Sequence, residues 1–277
     1  MATERGLDGA EGGDVVTGEG ESGVSTGSQE RGSTLGVLIS FEGLDGSGKS
    51  TQLELLADEL RGIGLDVVTT REPGGTRVGE AVRDILLSPV HTEMAARTEA
   101  LLYAAARAQL VEEVVRPALE RGAVVLTDRY LDSSIAYQGF GRQLGLDDII
   151  TWSVWATECL FPELTLFYRV LEEERSRRSV GVVDRLEAED SDFFSRVEAG
   201  YVHMAEVHGH RIREIDASGS VGAVSYTHLR AHETVLDLVC RLLLEKKKTK
   251  TNAPTTHLQP HKETQHHCNR HFTTITY

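Results

Sequence analysis

Residues 43–50 read Gly-Leu-Asp-Gly-Ser-Gly-Lys-Ser and match the phosphate-loop pattern G-x-x-x-x-G-K-[ST] at every fixed position. An apolar run at 35–41 precedes this stretch and predicts a buried strand, and residues 52–60 after it predict a helix. Glycines in such a loop allow successive backbone N–H groups to surround phosphate oxygens, and the helix N-terminus adds a partial positive charge. The sequence therefore predicts a binding site for a nucleoside triphosphate.

The loop also supplies the predicted contacts to ATP and Mg²⁺. Lys49 is expected to reach the β- and γ-phosphates, and the Ser50 hydroxyl is expected to bind Mg²⁺. Asp128 ends an apolar strand at 123–127, as Walker-B acids do, and is the second predicted Mg²⁺ ligand. The predicted ATP-binding residues are Gly43, Gly46, Ser47, Gly48, Lys49, Ser50 and Thr51.

Strand and helix patterns alternate from residue 35 to residue 215. Strands are predicted at 35–41, 66–70, 123–127, 164–170 and 212–215. A long helix is predicted at 93–121, with a kink at Pro117. This alternation predicts an α/β fold of the P-loop NTPase type, in which a five-stranded parallel sheet has helices on both faces.

Composition narrows the choice of partners. The net charge of −14 argues against a nucleic-acid backbone as the main partner, so a local basic cluster is needed to hold an anionic nucleotide. No apolar run is long enough to span a bilayer, so no membrane is predicted as a partner. The cysteine spacing fits neither a metal site nor a disulfide framework, and a cytoplasmic location is expected.

Two arginines follow predicted strands at the edge where open α/β sheets bind ligands. Arg129 comes directly after Asp128, where a cation could hold a second phosphate. Arg71 precedes a Pro-Gly-Gly turn at the carboxyl end of the second strand. A turn of this kind can also be purely structural, but a charged residue fixed before it favours a site.

Two further features admit a structural and a functional interpretation. Tyr103 and Arg107 share a helix face, where they could bind a base; a core tyrosine and a solvated arginine are the equally common alternative. An arginine-rich segment at 172–187 could be a solvated helix face. Because the phosphate loop has no arginine, a lid that closes over the phosphates and carries Arg175, Arg177, Arg178 and Arg185 fits this segment better.

Together these motifs resemble the thymidylate kinase family. The resemblance covers about residues 35–222, including the strings 71–76, 128–139 and 184–187. It implies a homodimeric enzyme that uses ATP and Mg²⁺ to phosphorylate dTMP, with a domain at 35–224 and a small lid at about 172–187. One departure is Arg169, where the family usually has aspartate.

The resemblance also implies roles for individual residues. Asp45 and Arg71 would lie near the acceptor phosphate, the sugar and Mg²⁺, and Arg129 would hold the dTMP phosphate. Tyr103 would stack on thymine and Arg107 would bind a thymine carbonyl. The implied substrate-binding residues are Asp45, Arg71, Tyr103, Arg107, Arg129, Ser133, Tyr137 and Gln138, and the implied catalytic residues are Asp45, Lys49, Arg129, Arg178 and Arg185.

The two ends of the chain have a different character. Residues 1–34 are acidic and rich in glycine and serine, so disorder is expected. Residues 224–248 can be encoded by DNA that resembles a sequencing-library adapter, and a biased composition follows them. We therefore expect 225–277 to be a non-native, disordered tail that lacks the family's closing helix; an accidental replacement helix at 236–244 is the alternative.

Three other functions are alternatives to that of a dTMP kinase. A kinase for another nucleoside monophosphate is the closest alternative, although Tyr103, Arg107 and Tyr137 favour thymine and deoxyribose. A nucleotide-dependent switch or motor would need an Asn-Lys-x-Asp or ABC-type signature, and the sequence has neither. A folding-compromised chain that binds nucleotide with little activity stays open, because its defect would lie at the C-terminus and not in the site.

Overall fold

The computed structural model describes residues 36–178, 184–229 and 235–251. Its five parallel strands lie in the order β2-β3-β1-β4-β5, which confirms the predicted fold class. The expected disorder of 1–34, of 230–234 and of 252–277, together with part of the lid at 179–183, lies outside the described residues. The strands are β1 (Val37–Glu42), β2 (Val67–Arg71), β3 (Val124–Asp128), β4 (Leu164–Arg169) and β5 (Ile212–Asp216).

Helices cover both faces of this sheet. They are α1 (Lys49–Gly62), α2 (Arg77–Leu87), α3 (Ala96–Leu110), α4 (Arg116–Glu120), α5 (Leu131–Ser134), α6 (Leu146–Thr157), α7 (Glu172–Arg178), α8 (Ser191–Val207), α9 (Val221–Leu229) and α10 (Val235–Thr251). The predicted long helix at 93–121 is divided, because a wider π-helical segment (Val111–Val115) separates α3 from α4. Pro117 in the first turn of α4 has no N–H to donate, which accounts for the break.

The alternation of side chains along β1 produces two cores. Val37, Ile39 and Phe41 pack against α1 on one face, while Leu38 packs into the larger core on the other face with α3, α6 and α8. β1 is fully buried, as expected for a central strand of a parallel sheet that helices cover on both sides. No helix in the described parts of the chain is both long and apolar enough to cross a bilayer.

Arg169 is accommodated at the exposed end of β4. Its Nε donates to Glu198 Oε1 at 2.9 Å and its Nη1 donates to Glu214 Oε1 at 3.2 Å. The side chain is about half exposed, so it joins β4, β5 and α8 by surface ion pairs without placing a charge in the core.

The C-terminal segment is more ordered than expected. Within 225–277 the structure places α10, whose Val239 and Leu243 lie one turn apart and pack against the core of β1. Lys246 Nζ donates to Gly36 O at 2.6 Å and forms an ion pair with Glu163. At Val235–Thr251 the structure has a helix whose apolar face covers the sheet, which corresponds to the alternative of a replacement helix at 236–244. The non-native origin of the tail stays a prediction.

The packing of α10 can be tested with two matched substitutions. Val239 is fully buried and Leu244 is 58% exposed. Val239→Asp should lower the free energy of unfolding by about 3 kcal/mol, because it buries an unpaired carboxylate, whereas Leu244→Asp should change it by less than about 0.5 kcal/mol. Urea unfolding of both variants measures the difference. Equal stability of the two variants would show that α10 does not pack on the sheet.

Candidate active site

The phosphate loop joins β1 to α1 in a conformation that requires glycine. Gly43 has φ of 134° and Gly48 has φ of 87°, both in the region that side chains disfavour. A Cβ on Gly43 would lie 2.3 Å from Tyr168 O, so the loop passes too close to β4 for any larger residue. Gly48 caps α1, and Lys49 is the first residue of that helix.

Lys49 is buried beside the loop that it follows. Its Nζ donates to Leu44 O at 2.9 Å and lies 3.8 Å from Asp45 Oδ1. Burial and the nearby Arg129 lower the pKa of Lys49, and Asp45 opposes that shift. A phosphate in the loop would add the negative charge that this ammonium group needs.

Ser50 and Asp128, the two predicted Mg²⁺ ligands, are adjacent in space. The Ser50 hydroxyl donates to Asp128 Oδ2, because Phe41 of β1 pairs with Asp128 and so brings the end of β3 beside the loop. One hydroxyl and one carboxylate fit Mg²⁺, which binds few protein oxygens and keeps phosphate and water ligands. The described residues contain no cluster of three His, Cys, Asp or Glu that could hold a metal without a substrate.

Arg129 is held from several sides. Its φ of 71° is left-handed, and its backbone N–H donates to Phe41 O at 2.9 Å. Its Nη2 donates to Asp45 Oδ1 at 2.7 Å and to the Tyr137 hydroxyl at 3.1 Å. Its Nη1 donates to Ser133 Oγ at 3.2 Å. Although burial would raise the pKa of Asp45, Arg129 and Lys49 hold it well below its usual range.

Arg107 is buried behind the wall of the site. Its Nε donates to Glu72 Oε2 at 2.7 Å, and its Nη2 donates to Ser134 Oγ at 2.9 Å. The side chain is 1% exposed, so the alternative of a solvated arginine is wrong. Its Nη1 has no hydrogen-bond partner among the described residues, which is unusual for a buried donor.

A cavity of about 440 Å³ at the carboxyl edge of the sheet collects most of the predicted residues. Those that line it are Asp45, Gly46, Gly48, Lys49, Ser50, Thr51, Arg71, Tyr103, Asp128, Arg129, Ser133, Tyr137 and Gln138. Gly43, Ser47 and Arg107 do not line it. The half-exposed Arg71 donates to both Glu80 carboxylate oxygens, at 3.0 and 2.8 Å.

The two lid arginines lie apart from this cavity. Arg178 donates to Ala217 O at 3.0 Å and to Gly219 O at 3.2 Å. It lines a second cavity that shares Gly46, Gly48 and Thr51 with the first. Arg185 Nη2 lies 2.7 Å from Glu99 Oε2, and Arg185 lines neither cavity. The structure therefore brings Arg178 to the phosphate loop and keeps Arg185 at α3.

Glu99 joins the lid to the far wall of the site. This buried carboxylate accepts from Gln138 Nε2 at 2.9 Å and from Arg142 Nη2 at 3.0 Å, in addition to its contact with Arg185. Burial would raise the pKa of Glu99, but the hydrogen bonds from Arg142 and Gln138 and the charge of Arg142 lower it. No local motif marks Glu99, because its partners come from distant parts of the chain.

Several cavity residues were absent from the sequence prediction. Glu72 and Ser134 directly follow the predicted Arg71 and Ser133, so a wider reading of those strings could have found them. Asp184, Leu186 and Glu187 bring the C-terminal end of the lid into the lining. Their position depends on how the lid packs, which sequence spacing does not define.

The fold and the site define a kinase-type phosphate-loop protein: the phosphate loop, a carboxylate after β3 and a second cation, Arg129, line one cavity. The sequence model of the thymidylate kinase family matches residues 41–227. Thymidylate kinase of Exiguobacterium sp. is 51% identical over 191 residues, covering 68% of this chain and 90% of that protein. The corresponding protein of Pelotomaculum thermopropionicum is 48% identical over 205 residues, covering 73% and 95%.

A solved structure shows the same likeness. Thymidylate kinase from Ehrlichia chaffeensis superposes with a TM-score of 0.55 at 32% identity, covering 65% of this chain and 92% of that chain. With the family match and the two relatives, this establishes that the chain belongs to the thymidylate kinase family.

The electrostatic role of Glu99 leads to a pH-dependent prediction. Because its pKa is lower in the folded state, its stabilisation is present above the unfolded pKa and is lost as pH falls through the folded pKa. Glu99→Gln should lower the free energy of unfolding by about 3 kcal/mol at pH 7. The difference in this free energy between the variant and the parent should shrink below about pH 4.5. Asp58→Asn, which breaks an exposed pair with Arg61, should cost less than about 0.5 kcal/mol. Urea unfolding at several pH values measures this; a pH-independent difference would contradict it.

Proposed function

We propose that this chain transfers the γ-phosphoryl group of ATP to dTMP and releases dTDP and ADP. The observation that carries the proposal is the pair of cationic groups in one cavity: Lys49 at the phosphate loop and Arg129 at the end of β3, joined through Asp45. Two anions can therefore bind side by side, which a phosphoryl transfer requires. A relative that is 51% identical carries the name thymidylate kinase.

The residues perform the transfer mainly by positioning and charge. A dTMP phosphate oxygen attacks the γ-phosphorus in line, and the bond from that phosphorus to the ADP oxygen breaks. Lys49 neutralises charge on the donor phosphates, and Arg129 fixes the acceptor phosphate. A phosphate oxygen needs no strong general base, so the held geometry of Arg129 matters more than proton transfer.

Mg²⁺ fits the proposal through Ser50 and Asp128. Their oxygens would hold the ion, which when bound neutralises charge between the β- and γ-phosphates. Arg178, beside the phosphate loop, is the better placed of the two lid arginines for the same task. Arg185 could contribute only after separating from Glu99.

Selection of thymine is proposed to involve the wall opposite the phosphate loop. Tyr103 lines the cavity and offers a ring for stacking on the base. Arg107, with a buried Nη1 that lacks a partner among the described residues, and Ser134 are suited to a carbonyl and a ring N–H. Tyr137 stands over Arg129 with its ring centre 4.9 Å from the guanidinium carbon, where it would restrict the sugar.

The reaction can be tested with ligand-dependent melting and turnover. At about 100 times its dissociation constant, dTMP should add about 2.7 kcal/mol to the free energy of unfolding and raise the melting midpoint by roughly 5–10 °C. UMP, AMP and GMP should not raise the midpoint. ADP formation should require dTMP and Mg²⁺ and should fall at least about a hundredfold in Lys49→Ala. A shift with another monophosphate would favour a different kinase, and a melt without a cooperative transition would indicate a folding-compromised chain.

We further propose a cytoplasmic enzyme whose domain spans about 35–224 and pairs with a second copy. α3 packs against both α2 and α6, and these three helices expose Val78, Ile85, Leu101 and Trp155. Trp155 is 81% exposed, which is unusual for an indole in a monomer. An apolar surface of this kind fits a homodimer.

The dimer has its own test. Trp155→Glu should convert the chain to a monomer, because it places a charge in the proposed apolar interface. Leu244→Asp is the control, because Leu244 belongs to α10, which packs on the opposite core of the sheet. Sedimentation velocity reads the mass of each; a dimeric Trp155→Glu variant would contradict this interface.

A further inference from the structure

Glu42 is a buried acid that the proposed mechanism does not use. It ends β1 directly before the phosphate loop and is fully buried. A carboxylate in such a position needs hydrogen-bond donors around it. Its donors among the described residues come from the segment after β3 and from α8, which are far away in sequence.

Those donors surround the site of Arg129. The backbone N–H of Tyr130 donates to Glu42 Oε1 at 2.7 Å. The Ser133 hydroxyl donates to Oε2 at 2.5 Å, and the Tyr201 hydroxyl donates to Oε2 at 2.9 Å. Glu42 thus binds the residue directly after Arg129 and both hydroxyls that contact its Nη1.

The direction of these hydrogen bonds matters. An ionised carboxylate only accepts, so it takes the protons of both hydroxyls and leaves their oxygen lone pairs available. Arg129 Nη1 then donates to Ser133 Oγ at 3.2 Å and to the Tyr201 hydroxyl at 3.4 Å. A protonated Glu42 would donate its own proton to one hydroxyl and reverse one of these bonds.

Tyr201 brings a rigid support to this cluster. Its ring stacks on Phe167 of β4 with 5.0 Å between ring centres, and the side chain is 2% exposed. The hydroxyl is therefore fixed by the sheet on one side and by Glu42 on the other. Tyr201 does not line the main cavity, so direct contact with substrate is not its role.

We propose that Glu42 and Tyr201 are positioning residues, which orient the guanidinium of Arg129 for the phosphate of the acceptor nucleotide. The inference rests on the proposed function, because the acceptor phosphate is what Arg129 is proposed to hold. A purely structural role would stabilise the fold without selecting one substrate. The distinguishing measurement is therefore the affinity for dTMP compared with that for ATP.

The protonation of Glu42 adds a second readout. Burial and the nearby Asp132 raise the pKa of Glu42 to about 7, against the effects of Ser133, Arg129 and Tyr201. The dissociation constant of the parent for dTMP should therefore fall from pH 6 to pH 8, relative to that of Glu42→Gln, which cannot ionise. The charged or titratable groups that face Glu42 are Asp132, Arg129, Lys49, Arg211, Tyr137 and Tyr201.

The experiment compares Glu42→Gln, Tyr201→Phe and the double variant at pH 8. We expect the KM and the calorimetric Kd for dTMP to rise about tenfold in Glu42→Gln and about fivefold in Tyr201→Phe, with KM for ATP within about twofold. The double variant should be little worse than Glu42→Gln alone, because both changes break one network. Tyr168→Phe is the control: this buried tyrosine stacks on Phe41 in the other core and should change neither constant.

Two outcomes would overturn the inference. One is a dTMP dissociation constant for both single variants within twofold of the Tyr168→Phe control. The other is an equal rise in the constants for dTMP and ATP, which a general loss of structure would produce. A parent chain that binds dTMP without phosphorylating it would contradict the proposed reaction and not the positioning role. The positioning role would still be decided by the ratio of the dTMP dissociation constants of the variants to that of the parent.

Discussion

The parallel pairing of β1 with β3 is the constraint on which the site depends. It sets Phe41 beside Asp128, so the phosphate loop and the acidic end of β3 emerge at one edge of the sheet. The Arg129 N–H then donates to Phe41 O and continues the ladder by one residue into the site. A shift of one residue in this register would send every side chain of β1 to the opposite face and separate Ser50 from Asp128.

The sequence predicted which residues line the site better than it predicted the side-chain contacts between them. Phosphate loops and strand-ending acids follow local rules, so the lining by Lys49, Asp128 and Arg129 was predictable from the residues and the family resemblance. Glu99 and Glu42 were not, because their roles depend on partners more than 35 residues away that only the folded chain brings close. Arg107 illustrates the middle case: its helix face was predicted, whereas its burial against Glu72 was not.

The C-terminal segment shows a different limit. Coding pattern and composition concern the origin of a segment, whereas packing depends only on where apolar side chains fall. Val239 and Leu243 recur at helical spacing and find an apolar surface on the sheet, so α10 covers β1 whatever its origin. The biased composition after residue 248 overlaps only the last residues of α10, so the apolar face of this helix lies in the part of the tail that precedes the bias.

Glu99 binds Gln138 in the wall of the cavity and Arg185 in the lid with the same carboxylate, so the two are thermodynamically linked. Separating Arg185 from this buried acid would leave Arg142 and Gln138 to satisfy the carboxylate among the described residues. Lid position and the rigidity of the base pocket would then change together and reciprocally. Because salt screens buried pairs only weakly, this exchange should be nearly independent of ionic strength, unlike the electrostatic capture of a nucleotide from solution.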